Sequence, residues 1–68
     1  MTVKQKQSLL CYMDCLEPAG IDGLWGPESA KATEAMQHKL GIEPDGIWGD
    51  QTDSAIREYI YSGADLPE

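Results

Sequence analysis

Apolar and polar positions segregate onto opposite helix faces in three stretches of the chain. In the first, Leu9, Leu10, Met13 and Leu16 fall on one stripe of a 3.6-residue period, while Gln5, Lys6, Gln7 and Asp14 face the other way. That pattern predicts a helix over 3–16, with the polar set in water. In the second, Ala32, Ala35, Met36 and Leu40 form an inner face opposite Lys31, Glu34 and His38, predicting a helix over 27–40. Pro27 suits its first position, Lys39 its last turn, and Gly41 its end. In the third, Ala55, Ile56, Tyr59 and Ile60 oppose Asp53, Arg57 and Glu58, predicting a helix over 51–61 with Asp50 as its N-cap. Pro18 to Gly20 ends the first helix, Ile42 is expected to fold back after the second, and Pro44 extends the chain beyond it. Three short helices with turn-rich connections predict an all-α, compact three-helix bundle. A single domain over 1–68 is expected, with an ordered core over 3–61 and a loose tail over 62–68.

The connections carry a repeated motif. Asp22-Gly23-Leu24-Trp25-Gly26 precedes the second helix, and Asp45-Gly46-Ile47-Trp48-Gly49 precedes the third, 23 positions on. A hydroxyl residue follows three positions after the second Gly each time (Ser29, Thr52), and an Ala three after that (Ala32, Ala55). Asp-Gly is a turn dipeptide, since Asp bonds its own backbone and Gly accepts positive φ. Asp22, Gly23, Gly26, Asp45, Gly46 and Gly49 are therefore read as structural turn residues. The aliphatic residue and the Trp of each copy are expected to pin the turn onto the core.

On these residues the chain resembles the peptidoglycan-binding domain type 1 family, small three-helix modules attached to bacterial and phage cell-wall hydrolases. The likeness runs through Asp22 to Ser29, Ala32, Met36-Gln37, Leu40-Gly41-Ile42, Asp45 to Thr52 and Ala55-Ile56. Gln7 and Leu10 fit the family's first-helix pattern, and the match covers roughly 5–61. The chain departs from the family at Asp14-Cys15-Leu16-Glu17, where a Gly-aromatic pair is common.

Charge narrows the partners. Five Lys and Arg against twelve Asp and Glu give a formal net charge of −7, most of it beyond residue 40. A phosphate-binding surface needs clustered cations, so neither nucleic acid nor an anionic membrane surface is an expected partner. The only cysteines, Cys11 and Cys15, lie four apart on one predicted helix, where side chains project in parallel. They are expected to be free, partly buried thiols. Met1 to Ser8 is polar and Leu9 to Met13 too short for a leader's apolar segment, so synthesis in the cytoplasm without a signal peptide is expected.

No metal or cofactor is expected. An EF-hand needs oxygen ligands at positions 1, 3 and 5 before its Gly and Glu at 12. With Gly46 as the sixth residue the loop offers Gly41 first and Thr52 at twelve, and with Gly23 it offers Pro18 and Gly20. Two Cys and a lone, outward-facing His38 do not make a zinc site. No nucleophile motif is present, and a domain this small does not house the cleft that paired catalytic carboxylates need, so the chain is not expected to be an enzyme.

Two functions follow. By resemblance the chain is a non-catalytic peptidoglycan-binding module, holding a wall hydrolase, of phage or prophage origin, against glycan and stem peptide. The candidate ligand-binding residues are Tyr12, Trp25, Gln37, Trp48 and Tyr61. The two Trp are expected to pack partly into the fold with an edge on a shallow groove, and Tyr12 and Tyr61 to be the freer aromatics. The alternative is a cytoplasmic acidic module, such as a phage-encoded inhibitor, docking a basic protein.

Overall fold

Thr2 starts the first helix. Its Oγ1 accepts the Gln5 N–H at 3.1 Å, and the Gln5 Oε1 accepts the Thr2 N–H at 2.8 Å, a reciprocal capping box. In this computed structural model, which describes residues 2–62, three helices follow: α1 (Val3–Tyr12), α2 (Pro27–Leu40) and α3 (Asp50–Ser62). Among the described residues there is no strand, so the fold is an all-α three-helix bundle. The expected tail over 62–68 lies outside the described residues, apart from Ser62, whose backbone closes α3.

The helix ends fall where backbone chemistry puts them. α1 stops at Tyr12 rather than at 16, because Asp14 turns into the left-handed region with φ 65°. Cys15 N–H then returns to Leu10 O at 2.8 Å and Asp14 N–H to Cys11 O at 2.9 Å, satisfying carbonyls the helix leaves open. Lys39 adds a third closure from α2, donating to Met13 O at 2.7 Å. Pro18–Gly20 make a single 3-10 turn. α2 has Pro27 at its first position and ends at Gly41, with Ile42 N–H returning to Gln37 O at 3.1 Å. At α3 the expectation for Asp50 is corrected. Asp50 is already helical, and Gly49 stands before it, its carbonyl accepting the Asp53 N–H at 2.9 Å.

The core is small and runs through all three helices: Leu10, Met13, Ala32, Met36 and Ile56 are buried. Leu9, Cys15, Leu16, Leu40, Trp48, Tyr59 and Ile60 pack around them. Ala35, expected inside, is exposed. The buried face of α2 is instead completed by polar residues: Ser29, Thr33 and Gln37 are buried beside Ala32 and Met36. Gln7, expected in water, is fully buried on α1. Cys11 and Cys15 are free and half-buried, and burial pushes the Cys15 thiol up from its ordinary pKa.

Candidate functional site

Two glutamines build the platform. The Gln7 amide points from α1 into the first Asp-Gly turn, where its Oε1 accepts the Gly23 N–H at 2.9 Å. Its Nε2, with two N–H groups to share, lies within hydrogen-bond distance of Asp22 Oδ1 (3.1 Å), Leu24 O (2.9 Å) and Ser29 Oγ (3.1 Å). Gln37 does the same from α2 to the second turn. Its Oε1 takes the Gly46 N–H at 2.9 Å, and its Nε2 reaches Asp45 Oδ1 (2.9 Å), Ile47 O (3.0 Å) and Thr52 Oγ1 (2.8 Å). Each helix thus clamps the turn that leads into the next helix. Burying two primary amides is tolerable only because each is saturated; no described buried side-chain nitrogen or oxygen lacks a partner.

The turns are locked from within as well. Asp22 Oδ1 accepts the Leu24 N–H and Asp45 Oδ1 the Ile47 N–H, each at 2.9 Å. Those backbone bonds first, and the glutamine amides second, hold both carboxyls below the usual aspartate pKa. Gly23 and Gly46 sit at φ 81° and 75°, a backbone state closed to most side chains.

This rigidity decides where the apolar residues go. Leu24 and Ile47 do not pin the turns: they are 73% and 67% exposed. With the turn backbone bonded to Gln7 or Gln37, the aliphatic side chain is left facing water. Trp48 packs against the core, and Trp25 leans on it edge to face, with ring centroids 6.3 Å apart and an interplanar angle of 87°. Trp25 remains 37% exposed. The Lys6 ammonium lies over both rings, 5.7 Å from the Trp25 centroid and 6.0 Å from that of Trp48. Beside Trp48 is a shallow depression of about 260 Å³ lined also by Lys6, Gly49, Asp50 and Asp53. There the Trp48 Nε1–H points at Asp53 Oδ1 at a long 3.5 Å, and Asp53 Oδ2 takes the Arg57 Nε–H at 2.7 Å. The Arg57 bond keeps the Asp53 carboxyl below its ordinary pKa.

The other candidates are dispersed. Gln37 is 1% exposed, with its amide bonded within the second turn. Tyr12 is exposed in a different groove, between α1 and α3, with Gln5, Ser8, Leu9 and Arg57. Tyr61 is exposed on the last turn of α3. Only Trp25 and Trp48 are brought together. Lys6, Leu24, Ile47 and Asp50 join or flank them and were not anticipated; an apolar residue between two bonded turn positions was the signal available for Leu24 and Ile47. Among the described residues no group of three His, Cys, Asp or Glu could hold a metal ion.

Among the described residues the domain has no strand, and its glutamine-clamped turns hold two indoles side by side. The family can be stated. A model described as "Putative peptidoglycan binding domain" matches residues 2–59, and the chain belongs to that family. It is 43% identical over 37 residues to a "Probable N-acetylmuramoyl-L-alanine amidase" of Bacillus licheniformis, covering 54% of this chain and 10% of the amidase. It is 37% identical over 41 residues to "N-acetylmuramoyl-L-alanine amidase CwlL" of the same organism, covering 60% of this chain and 11% of that protein. The matched region is about a tenth of each relative's length. No solved structure matches the chain.

Proposed function

We propose that the chain is a non-catalytic module that binds peptidoglycan through the Trp25–Trp48 surface and so concentrates a wall hydrolase on its substrate. Membership of a peptidoglycan-binding family supports the ligand class. The amidase names of the relatives, of which this chain matches only a tenth, support a catalytic domain elsewhere as the cargo. The observation that carries the location is the exposed Trp25 ring, held edge-on to a half-buried Trp48 and flanked in sequence by exposed Leu24. An indole buttressed in this way offers a flat apolar face to a sugar ring with little side-chain entropy left to lose. The clamped turns keep that face in place before the ligand arrives.

Co-sedimentation with insoluble peptidoglycan sacculi tests the reading. The intact chain is expected in the pellet, and Trp25→Ala is expected to weaken retention at least about tenfold, the loss of one stacked ring. Because Trp25 lies at the surface, the variant should keep its helical circular dichroism. Wild-type chain left in the supernatant at low and moderate salt contradicts the reading, and favours an acidic module for a basic protein, the reading that the net charge of −7 supports.

A further inference from the structure

Two charged groups line the depression beside Trp48 without an opposite partner among the described residues. The Lys6 ammonium rests against the two indoles. Asp50 stands exposed in the first turn of α3. The ion pair found among the described residues is Arg57–Asp53, so Lys6 and Asp50 are not paired with each other. The third charge in the depression, Asp53, is neutralised by Arg57 at 2.7 Å and also faces the Trp48 N–H. One cation and one anion therefore remain on the lining of a pocket of about 260 Å³, together with an indole and the Gly49 backbone.

That arrangement selects by charge pattern. A ligand carrying a lone carboxylate meets Lys6 but also Asp50, and a lone amine meets the reverse. We propose that this depression binds a zwitterionic amino-acid centre, one carbon bearing a free amine and a free carboxylate, with Lys6 holding the carboxylate, Asp50 the ammonium, and Trp48 packing against the aliphatic chain. The proposal deepens the wall-binding reading and rests on it: in peptidoglycan such a centre is the uncross-linked end of a diamino dicarboxylic acid in the stem peptide. The site is solvent-exposed, so each charge contact is weak and a single centre binds loosely. A polymer presenting many such ends supplies the avidity.

The test is a titration of the intact chain, followed by amide and indole NMR shifts. The probes are a soluble stem peptide whose diamino dicarboxylic acid has its far amine and carboxylate free, the same peptide acetylated on that amine, and the same peptide amidated on that carboxylate. Each block is expected to weaken binding about fivefold, the scale of one exposed charge pair. Lys6→Gln should abolish the penalty for amidation and keep that for acetylation; Asp50→Asn should do the reverse. Equal binding of all three peptides to the wild-type chain, or no binding of any, overturns the proposal. So does a Lys6→Gln variant that weakens all three alike, which would make Lys6 a support for the indoles alone. These outcomes leave sedimentation with sacculi untouched, so failure of the zwitterion site and failure of wall binding are read separately. The wild-type series decides the matter even where a variant fails to fold.

Discussion

At the residue scale, Gln7 and Gln37 determine whether the proposed binding surface exists. Each amide oxygen accepts a turn N–H, and each amide nitrogen shares its two N–H groups among a turn carbonyl, an aspartate and a helix hydroxyl. Truncation strands several of these groups in a buried site, so Gln7→Ala and Gln37→Ala should each cost about 2–4 kcal/mol, measured by urea unfolding. The aspartates add a pH dependence of definite sign. Asp22 and Asp45 have folded pKa values below their unfolded ones. Their contribution is fully present above about pH 4, the unfolded value, and is lost as pH falls through the folded values. An Asp22→Asn, Asp45→Asn double variant keeps both acceptor oxygens but cannot be protonated there. Its stability should fall less steeply than the wild type's between about pH 4 and pH 2, followed by thermal melts across that range. The glutamines also mark the limit of sequence reading at this scale. Hydrophobic periodicity scores Gln as polar and sends Gln7 to water; its partners lie 15 to 22 positions away, which periodicity cannot see.

At the element scale, the helices themselves were legible. α2 lies where Pro27 and Gly41 bracket it, and α3 differs from expectation by one residue at each end. α1 was overextended because Met13 and Leu16 continue its apolar stripe after its backbone has turned away at Asp14. Met13 still reaches the core and Leu16 still packs against it, from outside the helix. A non-glycine residue at φ 65° is strained. Asp14→Gly should therefore raise stability by about 0.5–1 kcal/mol, read as a higher urea midpoint with unchanged slope. The Asp-Gly motifs are legible as turns, but the apolar character of the aliphatic residue inside each wrongly suggests a pin. Once the turn backbone is tied to a glutamine no pin is needed, and Leu24 and Ile47 become surface.

At the scale of the whole molecule, the five buried apolar side chains among the described residues make a thin core, and the buried amide clamps supplement it. Those clamps fix the Trp25–Trp48 pair on one surface, while the exposed Tyr12 lies in a groove lined by other residues. The likeness to amidases covers about a tenth of their length. We propose the clamped indole pair as the wall-facing surface. Its most direct test is the ¹H–¹⁵N NMR spectrum of the chain on titration with soluble peptidoglycan fragments. Both indole Nε1–H signals and the amides of Lys6, Leu24 and Gly49 are expected to shift together, while those of Lys31 and His38 on the outer face of α2 stay fixed. Shifts confined instead to Leu9, Tyr12 and Arg57 would put the ligand between α1 and α3 and contradict it.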